Sequence, residues 1–298
     1  MLKKRDKSVL LELLFIIPAV LVFILLLLYP VLSSIFYSFT NKHLIKSSFK
    51  FVMFDNYIDI LTDPEYWSSL LTGVKWTVLS LLGQFLIGFT AALALNRINK
   101  GRTLLRTLII IPWAFPTIVI ALAWKWILNG VSGFVPNLLF QLGITDFFSG
   151  FFSSKELVFF TMLFINVWFG SPLIAVNILS ALQTVPAELS EAAKIDGANS
   201  FQRLVKITIP QIIPVLLLLL VLRTIWIFNA FDIIYLITGG GPAGITQTVP
   251  IYAYKIGWGL KWLGKSSAVS VLSLIFLIII SSFLFALMRK VSTNENEK

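Results

Sequence analysis

Few residues in this chain could do chemistry, and their placement is uneven. There is one histidine, His43, and no cysteine, so disulfides and thiolate metal sites are excluded. A lone histidine in an apparent loop supplies no catalytic constellation, and no catalytic or metal-ligating residue is assigned. No G-x-x-x-x-G-K-[ST] run occurs, so the chain has no phosphate-cradling loop of its own. Two placements remain. Arg223 lies inside the apolar stretch VLRTIWIFNAFDII. An ionisable group within such a stretch costs roughly 2.5–3.5 kcal/mol on insertion scales, so it serves a cavity or a partner. Trp226 and Ala230 share its helix face, whereas Asp232, nine residues on, is half a turn out of phase on a straight helix. Either Arg223 ties to a carboxylate or carbonyl of another helix for assembly, or it lines a path for a sugar or an anion. The second placement is ELSEAAKIDGANSFQRLVKITIP, Glu188 to Pro210, with three acids and three bases in 23 residues between apolar flanks.

The elements that must position these residues follow from composition. Of 298 residues, 57% are hydrophobic and only 13% charged, against about 25% charged in soluble domains. A soluble fold of this length could not hide so much apolar surface, so the chain reads as an integral, multi-pass membrane protein. The net charge of +10 is spread between apolar runs and forms no basic domain, which argues against nucleic acid and for lipid and topology control. Six stretches are long and apolar enough to span a bilayer: about 9–36, 72–95, 104–128, 157–181, 212–237 and 268–288. The first follows a basic start but is too long for a signal-peptide core, so it reads as a retained helix carrying Glu12 and Pro18. No strand-like alternation competes. The expected class is all-α, with six transmembrane helices, in one transmembrane domain over residues 1–298. With the N-terminus inside, fourteen bases fall on the inner side and seven in outer loops, which makes both termini and the charged segment cytoplasmic. Lys75 and Lys125 then snorkel at outer helix ends, Lys125 between Trp124 and Trp126. The tail STNENEK reads as irregular.

The charged segment itself reads as two short helices. Pro186 suits a first helical turn, and Glu188 complements the dipole there. AELSEAAKI is the first helix, with Leu189, Ala192 and Ala193 on a small apolar face. Gly197 can take the left-handed position that ends it. Asn199 can cap the second helix, with Gln202 as its capping-box partner. Such a unit could rest on lipid headgroups as an amphipathic connector, or its small alanines could allow close docking to another protein.

Glu191-Ala192-Ala193, three residues, Gly197, nine residues, then Ile207-Thr208-Ile209-Pro210 resembles the EAA loop of binding-protein-dependent ABC importer permeases, E-A-A-x3-G-x9-I-x-L-P. The one departure is Ile209 for leucine. FDIIYLITGGGPAGITQTVPIYAYKIGW, from Phe231, is similar to the T-x-G-G-P segment of maltose-, glycerol-phosphate- and oligosaccharide-type permeases, within them the larger maltose permease partner. The resemblance implies that residues 184–210 couple to a cytoplasmic ATPase, through Glu191, Ala192, Ala193, Asp196, Gly197, Ile207 and Pro210. Glu191 and Asp196 either meet bases on that ATPase or fix the loop internally. It further implies a second permease subunit, two ATPase subunits that bind the ATP, and an extracytoplasmic solute-binding protein. The chain itself would hold no cofactor and hydrolyse nothing. The family's sugar site maps onto Phe169, Gly170, Leu173, Arg223, Trp226, Ile227, Ala230 and Asp232. A charged cargo such as a glycerol phosphodiester is the alternative. A secondary transporter would instead show inverted repeats and midplane acids, and a membrane-embedded enzyme would need a catalyst.

Overall fold

The computed structural model describes residues 14–98, 100–144, 150–152 and 154–296. Residues 9–13 of the first expected span, Glu12 among them, lie outside these, as do Lys3, Lys4, Arg5, Lys7 and Lys298. Among the described residues the backbone is nearly all helical, and its only strand-like feature is an isolated antiparallel bridge, Thr40 to Phe51. The helices are α1 (Leu14–Ser38), α2 (Asp55–Thr62), α3 (Pro64–Arg97), α4 (Arg102–Ala114), α5 (Thr117–Ile127), α6 (Phe134–Gln141), α7 (Lys155–Leu182), α8 (Ala187–Ile195), α9 (Ser200–Arg203), α10 (Ile209–Phe228), α11 (Asp232–Thr238), α12 (Val249–Tyr254) and α13 (Leu263–Asn296). The backbone of α13 thus stays helical through most of the tail expected to be irregular.

Among the described residues, five helical stretches are long and apolar enough to cross a membrane, and there are six if the bent pair α4–α5 is counted as one. The stretch 104–128, expected as one span, is that pair, and it turns through 87°. Pro116 is the cause. It lacks an N–H and forces the preceding residue out of the helical region. Phe115 is accordingly extended (φ −82°, ψ 147°), and α5 restarts after Pro116. Pro112, by contrast, sits inside α4 without a break. Two other prolines widen their helices instead. A π turn, Ile24–Leu28, ends on Tyr29 just before Pro30, and another, Leu204–Thr208, ends on Ile209 just before Pro210. A wider turn relieves the clash of a proline ring with the carbonyl one turn earlier.

The chain divides into two compact units. In the first, residues 1–66 with 252–275, the end of α1 is tied to α2. Asn56, which is buried, donates through Nδ2 to the carbonyls of Ser38 and Thr40, each at 2.8 Å. The Ser38 carbonyl is an orphan acceptor of the helix end, and Thr40 lies just past it. Ser38 Oγ and Tyr57 OH share a hydrogen bond of 2.7 Å, and Lys265 pairs with Asp59 at 2.7 Å. The phenol of Tyr252 donates to Asp63, and burial first, then Asp63, pushes its pKa above the usual tyrosine value.

The second unit, residues 67–251 with 276–298, buries two apolar clusters. One joins Trp76, Met162, Ile165, Ile227, Ile234 and Ile251; the other joins Ala92, Leu95, Ile174, Ile178, Ile212 and Leu219. Lys125 donates to the carbonyl of Leu236 at 3.0 Å, so it satisfies the end of α11. The glycine turn after α11 is closed by hydroxyls: Thr246 Oγ1 donates to the Gly241 carbonyl at 2.8 Å and meets Thr238 Oγ1 at 2.8 Å.

Asn56→Leu removes both bonds to the end of α1 and leaves two carbonyls buried without donors. The expected loss is about 2–4 kcal/mol, read as a lower melting temperature of the purified protein in detergent. A melting temperature equal to wild type would show that the end of α1 is held by other contacts.

Candidate functional site

The charged segment folds as two capped helices. α8 spans AELSEAAKI as expected, with Pro186 as the residue that caps it. Its far end is a Schellman closure: the Ala198 N–H reaches the Ala193 carbonyl at 2.9 Å and the Gly197 N–H reaches Lys194 at 3.2 Å. Gly197 has φ +84°, the left-handed region that strains any residue with a Cβ. Asn199 then caps α9. Its Oδ1 accepts from the Gln202 N–H at 2.9 Å, and Gln202 Oε1 accepts from the Asn199 N–H at 2.8 Å. Arg203 locks the junction by donating to the Ala198 carbonyl at 2.7 Å. Ile207 lies in the π turn and Pro210 at the start of α10, so the helix that leaves this turn runs without interruption from Ser200 to Phe228.

The solvent face of this unit is more apolar than the alanines suggest. Ile195 is 88% exposed and Phe201 73%, with Leu189 and Ala192 exposed beside them. Ala193 is half-buried. Glu191 and Asp196 are exposed, and neither side chain makes a hydrogen bond or ion pair to any described residue. Two loop acids without internal partners remain available to a second molecule.

The other polar site lies where the helices of the second unit meet. Arg223 is only 7% exposed. Its Nε donates to Gln84 Oε1 at 3.1 Å, and its Nη2 donates to the same oxygen. Gln84 Nε2 donates in turn to the Asn166 backbone carbonyl at 3.0 Å, and Asn166 Nδ2 donates to Ser80 Oγ at 2.8 Å. The network therefore stitches α3, α7 and α10 together. Gly170 is part of it by absence of a side chain, since a Cβ there would overlap the Gln84 amide and Arg223 Nη2. The Arg223 guanidinium also lies over the Trp226 ring, 5.8 Å from its centroid.

A cavity of about 470 Å³ opens beside this network. Its walls are Phe169, Arg223, Trp226, Ile227, Ala230 and Asp232, together with Asn166, Asn229 and the Trp113–Thr117 corner between α4 and α5. Leu173, one turn along α7, is half-buried and does not line it. Asp232 enters because the helix is not straight. It breaks at residues 229–231, and Asp232 opens α11 instead of continuing α10. No ion pair joins Asp232 to Arg223 among the described residues. The cavity thus combines aromatic faces, a cationic donor and an anionic acceptor, a set that suits a polyhydroxylated molecule. Sequence reasoning missed Ser80, Gln84 and Asn166. The available signal was three polar residues in apolar helices, two of them four apart on one face of α3.

A family model described as "binding-protein-dependent transport system inner membrane component" matches residues 84–293. The chain belongs to this family, and it is a permease component of an ABC transport system, a multi-pass protein of the inner membrane. It is 34% identical over 265 residues to the trehalose/maltose transport system permease protein MalF of Thermococcus litoralis, covering 89% of each chain. It is 30% identical over 289 residues to the diacetylchitobiose uptake system permease protein DasB of Streptomyces coelicolor, covering 95% of this chain and 88% of that one. Its fold is similar to a chain of a bacterial ABC transporter involved in the import of the acidic polysaccharide alginate, with a TM-score of 0.84, 22% identity, and coverage of 97% of this chain and 98% of that one.

Gly197→Val should open the turn between α8 and α9, because a β-branched residue at this φ costs more than roughly 1–2 kcal/mol. Amide exchange over residues 187–203 is expected to quicken about tenfold, with exchange in α7 unchanged. Wild-type exchange in that segment would mean that the left-handed turn is not what holds it.

Proposed function

We propose that this chain is the permease subunit of an ABC importer that passes a sugar or oligosaccharide through the cavity beside Arg223 by alternating access. The observation that carries the reading is that cavity, with Trp226 and Phe169 as stacking faces and Arg223 and Asp232 as hydroxyl partners. The sugars named for the two relatives support the cargo class. In this reading six spans cross the membrane, with the α4–α5 pair as the third, and the excess of bases on one side puts both termini and residues 184–210 in the cytoplasm. The α8–α9 unit seats in an ATPase subunit. Exposed Ile195 and Phe201, close-approaching Ala192 and Ala193, and unpaired Glu191 and Asp196 form the contact face. Ile207 and Pro210 join it to α10, so one helix links the docked turn to Arg223. A second permease subunit, two ATPase subunits that bind ATP and an extracytoplasmic binding protein complete the transporter. The second reading, an anionic cargo, is favoured by the absence of any carboxylate partner for Arg223 among the described residues.

The test is uptake by cells that carry the whole transporter and are offered trehalose, maltose, diacetylchitobiose and a glycerol phosphodiester. Uptake of at least one sugar is expected. Trp226→Ala should cut it about tenfold through lost stacking, with normal yield of the complex. Uptake of the phosphodiester alone would decide for the anionic reading, and wild-type sugar uptake by Trp226→Ala would move the path away from this cavity.

Docking makes its own demand on size. Ala193→Trp should leave the permease inserted in the membrane but reduce the ATPase recovered with it at least tenfold, as overpacking at an interface core does. Full recovery of ATPase with this variant would place the docking face elsewhere.

A further inference from the structure

We propose that Gln84 is a positioning residue that determines which edge of the Arg223 guanidinium is presented to the cargo. The inference rests on the reading of the cavity as the translocation path. A guanidinium has two donor edges, Nε–H with Nη2–H on its side and Nη1–H with the second Nη2–H at its end. Gln84 Oε1 takes both donors of the side edge. The end edge has no acceptor among the described residues, and Arg223 borders the cavity.

Gln84 can do this because it is itself immobilised. It is fully buried, and its Nε2 is committed to the Asn166 carbonyl. A flipped amide would point NH₂ at the guanidinium and oxygen at a carbonyl, two repulsive contacts in place of two bonds. Gly170 closes the remaining space on both side chains. The chemistry of the partner matters as well. A carboxylate at this position would fill the same edge but neutralise the cation, as buried arginines usually require. A neutral amide holds the orientation and leaves the charge to act on the cavity. The open end edge is two parallel N–H groups, which match two adjacent oxygens, as on neighbouring hydroxyls of a sugar ring. Asp232 on the same cavity accepts from a hydroxyl in return, and Trp226 offers the ring face.

The experiment is a double-mutant cycle on the complete transporter, with uptake measured for whichever of trehalose, maltose and diacetylchitobiose it carries fastest. Arg223→Met and Gln84→Met should each raise KM about tenfold, the size expected for lost bonds to a charged group. The change should fall on KM more than on maximal rate, both read per assembled complex. The double variant should be no worse than Arg223→Met alone, because Gln84 acts only through the arginine. Gln84→Glu keeps the side edge filled but pairs the cation and loses the bond to the Asn166 carbonyl, so it should still raise KM about tenfold, and it serves if Gln84→Met fails to assemble. Additive KM effects in the double variant, or a wild-type KM for Gln84→Met or for Gln84→Glu, would each overturn the inference while leaving the path reading intact. An unchanged KM for Arg223→Met would instead remove the path reading, and the inference with it.

Discussion

A charged group buried among apolar helices must find its hydrogen bonds inside the protein, and in this chain that constraint is concentrated on Arg223. Its side edge is packed against protein and must be satisfied there, so the surroundings are arranged around those donors. Gln84 supplies an oxygen, Asn166 and Ser80 hold Gln84, and position 170 has no side chain because there is no room for one. Three helices therefore meet at fixed register around one guanidinium. The cavity exists beside them because the same group leaves one face unfilled, and because α10 breaks after Phe228 instead of continuing as a rod.

The charged segment meets the opposite condition. Its backbone ends are in water and need only local partners, and it supplies all of them from its own sequence. Gly197 closes one helix, Asn199 and Gln202 open the next, and Arg203 bonds back across the turn. The result is a short rigid unit whose shape does not depend on the apolar core. It is joined to that core by the wide turn before Pro210, so the helix that leaves it is the one that carries Arg223. A closed turn at one end and a bonded arginine farther along hold this helix at two points.

Prolines set much of the remaining geometry, and they do so in three ways. Pro116 breaks its helix and turns it through 87°, Pro30 and Pro210 each follow a widened turn, and Pro112 is absorbed. The difference follows from what surrounds each ring. A missing hydrogen bond can be passed to the next residue by widening the turn, but the extended residue before Pro116 cannot remain in a helix.

From the sequence alone came the helical class, the apolar stretches, and the local architecture of residues 184–210, because each depends on neighbours within a few positions. A glycine that ends one helix and an asparagine cap three residues before Gln202 are short-range facts, and the capping box formed where it was expected. Apolar length is equally local, so the expected stretches fall within helical runs, although α3 begins at Pro64 rather than at 72, the run carrying 212–237 begins at Ser200, and 104–128 and 212–237 are broken at Pro116 and at 229–231. The partners of Arg223 were not legible. Gln84 is 139 positions away, and its polar signal had no direction until α3 and α10 were packed together. Nor could Asp232 be placed beside Arg223, since a straight helix puts it on the far side and only the break at residues 229–231 brings both to one cavity. Long-range contacts are decided by packing and register between helices, which no single segment encodes by itself.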